Sequence, residues 1–127
     1  MSTRSFICYE DEGSLRGIYC HYDGYPKHVG KILVEHYNSI TACEQIVDGG
    51  SHIRAFDHDG TISRFGEGDG EAESFLAVED ALKNGYDYVY LFSEQDNCWK
   101  CYGHQRTYFG QRSVDEIPIP GNRPFDR

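Results

Sequence analysis

Residues 87–93 read DYVYLFS. Side chains alternate across a strand, so Tyr88, Tyr90 and Phe92 share one face and Val89 and Leu91 the other. A strand that is apolar on both faces reads as a central strand. After a turn at 94–97, residues 98–103 return beside it. A second hairpin is read at the start of the chain. Residues 4–10 (RSFICYE) and 15–22 (LRGIYCHY) are β-rich and flank the turn cluster Asp11-Glu12-Gly13-Ser14.

Helical spacing lies between these hairpins. Pro26 fits a first helical turn, where its missing N–H is no loss. Val29, Ile32, Leu33, His36 and Tyr37 then follow a helical period, which predicts a helix over 26–38. Gly30 inside it is worse than Ala by about 1 kcal/mol and implies close packing against the sheet. A short helical turn is read at 41–47, ended by Gly49-Gly50. Residues 51–70 are the least regular, with a strand at 52–56 and its hairpin partner at 61–65 across 57–60. A second helix is read over 73–84, with Phe75, Val78 and Leu82 as its buried stripe and Gly85 as its stop. The expected fold is α+β: an antiparallel sheet of about four strands in two hairpins, with two helices on one face, in the order ββ-α-α-ββ. Residues 1–109 form the single domain and 110–127 an irregular tail holding three of the four prolines.

The chain has 127 residues, with 12 Lys+Arg against 21 Asp+Glu, a net charge of −9. That balance argues against binding a nucleic-acid backbone or an anionic membrane, both of which need a basic surface. No apolar run approaches the roughly 18 residues of a membrane span. The N-terminal MSTRSFICYE lacks the apolar core of a secretory signal, so a cytoplasmic protein is expected.

The five cysteines do not suggest a disulfide framework. Cys98 and Cys101 form a C-x-x-C pair, but on a strand these positions face opposite ways and cannot chelate one metal. The expectation is structural thiols and no cofactor.

Three constellations bear on chemistry. Phe56-Asp57-His58-Asp59-Gly60-Thr61-Ile62 resembles the first motif of haloacid-dehalogenase-type phosphatases. That chemistry needs a parallel α/β domain and later Lys and acidic elements, so a hairpin turn is preferred. A calcium loop lacks its remaining ligands. His21, Asp23 and His28 surround the strand exit and the helix start, where metal or acid–base chemistry competes with turn architecture. Residues 67–80 hold six acids and no base, which reads as a solvated face or a surface for a basic partner.

The segment Gly17-Ile18-Tyr19-Cys20-His21-Tyr22-Asp23-Gly24-Tyr25-Pro26, followed by Val29-Gly30-Lys31-Ile32-Leu33 and His36-Tyr37, resembles a family of small phage and prophage proteins. Residues 88–92 and Trp99 resemble its C-terminal segment. The resemblance covers the first 40 residues and roughly 75–102. It implies a mobile-element accessory protein inside a bacterial cell and carries no catalytic residue with it. The leading expectation is a non-enzymatic protein that binds and inhibits a host protein, such as a restriction, CRISPR or other defence complex. Its partner has a basic surface, and a homo-oligomer is an open possibility. The candidate contacts are Tyr22, Asp23, Tyr25, His28, Glu67, Asp69, Glu71 and Glu73, joined by the arginine-bearing tail. One alternative is a small-ligand or nucleotide-signal binder, with Tyr and His stacking on a base and Arg16, Arg54 or Arg64 holding phosphate. The other is a metal-dependent hydrolase around Asp57 and Asp59, or around His21, Asp23 and His28.

Overall fold

The computed structural model describes residues 3–66, 68, 70–106 and 112–122. In chain order the elements are β1 (Ser5–Asp11), β2 (Ser14–Cys20), a π-helical turn (Pro26–Gly30) running into α1 (Lys31–His36), α2 (Ile40–Val47), β3 (Ile53–Phe56), β4 (Ile62–Arg64), β5 (Glu73–Phe75), α3 (Val78–Lys83), β6 (Tyr88–Ser93), β7 (Cys98–Arg106) and β8 (Arg112–Ile117). The strands form one mixed sheet in the order β4-β3-β2-β1-β6-β7-β8, with β5 paired to β2.

This corrects the expected four-stranded antiparallel sheet. Both expected hairpins form, β1 with β2 and β6 with β7. They are joined by a parallel pairing of β1 with β6, from Ser5↔Tyr88 to Tyr9↔Phe92. Parallel neighbours are linked through distant chain and leave no turn signal between them. A second parallel contact, Cys20↔Ile53, attaches the β3–β4 hairpin to β2.

Two further segments differ from expectation. The helix expected over 73–84 splits in two. Glu73–Phe75 pairs antiparallel with Leu15–Gly17, and only Val78–Lys83 is helical. The reason is aromatic packing: the Phe75 ring lies edge-on to Phe6 at 5.1 Å and within 6.3 Å of Tyr86. Gly17 permits this approach, because a Cβ there would fall 2.5 Å from the Phe6 ring. Arg112–Ile117, expected as irregular chain, forms β8 against β7.

Helices cover both faces of the sheet, where one face was expected. Ile7, Ile18, Tyr90, Phe92 and Trp99 pack with Val29 and Leu33 of the π-turn and α1 and with Ile46 of α2. Phe6, Cys8, Leu15, Val89 and Leu91 pack with Ala81 and Leu82 of α3. Gly30 is the close approach its helical position implied: a Cβ there would lie 2.9 Å from Ile119 and 3.1 Å from the Tyr90 ring. Ile119 is 4% exposed, so the chain after β8 closes over the helical layer. Asn122 Nδ2 fastens it by donating to the Trp99 carbonyl at 2.8 Å. Among the described residues no helix is long and apolar enough to cross a membrane.

The closing strap is therefore part of the core. Ile119→Ala is expected to lower unfolding stability by about 2–5 kcal/mol, the range for truncating a buried aliphatic side chain. Urea denaturation of the full chain checks this, and a loss near zero would show the strap to be loosely held.

Candidate functional site

The end of β2 runs beside the start of β3. His21 N–H donates to the Ile53 carbonyl and Tyr22 N–H to the Arg54 carbonyl, each at 2.9 Å. The chain then turns sharply. Asp23 adopts a left-handed backbone, φ 55°, which Asp tolerates better than most residues. Gly24 is buried, and a Cβ on it would fall 2.8 Å from Ser5. Its N–H donates to the Thr3 carbonyl at 2.9 Å. Its carbonyl accepts from the Tyr90 hydroxyl at 2.6 Å, inside the core. Tyr25 is extended and Pro26 opens the π-turn. This backbone is held from both sides, and it presents Tyr22 and Tyr25 at 45% and 41% exposure.

Each tyrosine begins a row of rings. Tyr22 meets His21 edge-on at 4.4 Å. His21 lies 5.8 Å from Phe65, and Arg54 stacks over the Phe65 face at 4.8 Å. Inward from His21 the row continues through Tyr19 to His52 at 5.0 Å and to Tyr86 at 5.8 Å. The Tyr86 hydroxyl donates to Glu73 Oε1 at 2.7 Å. Burial raises the Tyr19 phenol above its ordinary range, so it stays protonated. Its hydroxyl is hydrogen-bonded to His21 Nδ1.

The second row runs from Tyr25 to His28 at 6.1 Å and from His28 to His58 at 5.0 Å. His28 Nε2 donates to the Phe56 carbonyl at 2.8 Å. His58 rides on the β3–β4 turn. There Gly60 N–H donates to the Asp57 carbonyl at 2.9 Å, and the Tyr37 hydroxyl donates to the Gly60 carbonyl. Asp59 accepts from Thr61 N–H at 2.9 Å, and hydrogen bonding from the Thr61 side chain, then from this N–H, holds its carboxyl below the usual range. The phosphatase-like motif is thus an antiparallel hairpin turn whose second acid closes the turn.

Of the residues singled out from sequence, Tyr22, Asp23, Tyr25 and His28 share one loop and the turn it leads into. Glu73 stands at the far end of Tyr22's row, and Glu71 is exposed two residues before it. Glu67 and Asp69 lie outside the described residues. His21 and His28 belong to different rows, each with its own hydrogen-bond partner. No group of three or more His, Cys, Asp or Glu among the described residues is placed to hold a metal ion. Sequence reasoning did not single out His52, His58 or Phe65 as site residues. They come from the least regular segment, and only the parallel attachment of β3 to β2 brings them to the site.

All five cysteines are buried, and burial raises every thiol pKa. Cys20 and Cys101 are pushed up to about 12. The reactive thiolate is therefore held off throughout. Trp99 and Cys101 face the α1 and α2 side, so Cys98 takes the opposite face of β7. A scan against protein-family models, a search of curated proteins and a search of solved structures each return no match.

Two predictions follow from this geometry. Burial, then hydrogen bonding to Asp48, also raises Tyr9 from 10.0 to about 12. The folded chain therefore keeps protons that the unfolded chain releases from 9.0 upward, so this contribution is full below pH 9.0 and falls as pH rises toward 12. Urea midpoints across that window are expected to drop steadily, and a flat profile would contradict the burial of these groups. Tyr90→Phe leaves the buried Gly24 carbonyl unpaired. It is expected to reduce stability by about 1–3 kcal/mol and to speed hydrogen exchange at Gly24 N–H, read by NMR.

Proposed function

We propose that the protein is a phage or mobile-element accessory protein that binds a host protein and inhibits it by occupying its surface, without catalysis. The carrying observation is the pair Tyr22 and Tyr25, both more than two-fifths exposed on a backbone pinned by Gly24. Aromatic side chains are enriched in protein interfaces and dominate their binding energy. A loop already fixed in shape loses less entropy on association than a free one. Asp23 between the two tyrosines and Asp57 and Asp59 on the β3–β4 turn are exposed, and the chain carries a net charge of −9. A partner with a basic surface suits that field and is steered toward it. The phage origin rests on the segment Gly17-Ile18-Tyr19-Cys20-His21-Tyr22-Asp23-Gly24-Tyr25-Pro26, which contains the same loop.

A photo-crosslinking residue placed at position 22 or 25 is expected to capture one stoichiometric host protein from bacterial lysate. The same residue at Glu94, exposed at the opposite end of the sheet, is expected to capture none. Tyr22→Ala and Tyr25→Ala are each expected to weaken the captured complex by about tenfold or more. Recovery of no stoichiometric partner, or equal capture from position 94, would overturn the proposal.

A further inference from the structure

The arginines raised as phosphate holders differ sharply in their surroundings. Arg16 is committed to Asp48, with Nε and Nη2 each 2.9 Å from Oδ1. Arg64 is turned inward, donating to the Ser51 and Ile46 carbonyls at 2.7 Å each. Arg54 is exposed and stacked on Phe65, with no carboxylate partner among the described residues. Stacking fixes the guanidinium plane and leaves its N–H edge for an anion.

Arg54 has the companions an organic anion needs. His21 approaches the same Phe65 ring at 5.8 Å. The Tyr19 hydroxyl occupies its Nδ1, so Nε2 is the ring nitrogen left to meet a ligand, as a donor whenever it carries the proton. The exposed Tyr22 ring stands against His21 at 4.4 Å and offers a flat face. A cation, an imidazole and an aromatic face are thus linked through Phe65 and His21 in one patch beside the parallel β2–β3 pair.

We propose that this patch binds a mononucleotide, with its phosphate on Arg54 and His21 and its base stacked on Tyr22. The overall charge selects the size of the ligand. A polynucleotide would run its further phosphates onto a surface of net charge −9, whereas a mononucleotide places a single phosphate at Arg54. This goes beyond host-protein binding and uses Tyr22 in a second way.

The test is calorimetric titration of the purified full chain, with no host protein present, so its failure and that of the host-partner reading are distinguishable. AMP is expected to bind. Adenosine and inorganic phosphate are each expected to bind about tenfold more weakly, since each supplies half of the contacts. Arg54→Gln and Tyr22→Leu, both at exposed positions, are each expected to lose about tenfold in AMP affinity. Arg16→Gln is expected to leave it unchanged. Absence of binding by AMP, GMP, CMP and UMP at millimolar concentration would overturn the proposal. So would unchanged affinity in Arg54→Gln, or tighter binding of a short oligonucleotide than of AMP.

Discussion

The parallel pairing of β1 with β6 holds the two halves of the molecule together. Ile7 lies beside Tyr90 on one face, and Phe6 beside Val89 on the other. All four are fully buried. Each hairpin alone would be marginal, since a two-stranded sheet with apolar faces cannot bury them unaided. Pairing them makes a four-stranded centre whose faces are closed by α1 and α2 on one side and by α3 on the other. The outer strands build on that centre: β5 and β3 dock onto β2, β4 onto β3, and β8 onto β7.

The same pairing sets the surface loop. Tyr90 is central in β6, yet its hydroxyl reaches the Gly24 carbonyl and its ring packs against the Gly30 backbone. One buried side chain therefore fixes both the turn carrying Tyr22 and Tyr25 and the start of the helical layer. The glycines at 24 and 30 make this possible, because a Cβ at either would collide with Ser5 or with Tyr90 and Ile119. Presentation of the two tyrosines is in this sense a consequence of core packing, not of the loop's own preferences.

Local signals were legible and long-range ones were not. The two hairpins, the 26–38 helical region (realised as a π-turn and α1), the helical turn at 41–47 and the β3–β4 hairpin all carry alternation, helical period or turn residues in contiguous chain. DYVYLFS is apolar on both faces and so requires cover on both, which a one-faced helical layer does not provide. The parallel contacts Ser5↔Tyr88 and Cys20↔Ile53 join residues far apart in the chain, and no local pattern encodes them. Residues 73–75 misled because Phe75 fits a helical stripe with Val78 and Leu82, while Phe6 and Tyr86 draw it into a strand. At the site, Tyr22, Asp23, Tyr25 and His28 stood out from one contiguous turn segment. The link from Tyr22 to Arg54 and Phe65 depends on the β2–β3 register, which was invisible.

The net charge acts differently at different distances. Asp48 sits at the C-terminal end of α2, where the helix dipole disfavours an acid. Arg16 and Tyr9 both bond to it and offset that cost. Arg64 donates to the Ile46 carbonyl near the same helix end, where cationic donors are favoured. These arginines serve the fold, so they do not offer a basic surface to a polyanion. Arg54 is different: it stacks on Phe65 and has no carboxylate partner among the described residues. At physiological salt, charges more than about 8 Å apart are largely screened. A small anion at Arg54 is therefore governed by its immediate donors, while a long one extends into the acidic field. The excess of acids thus disfavours polyanions over the surface at large, while Arg54, stacked on Phe65, offers a compact anion a local cation.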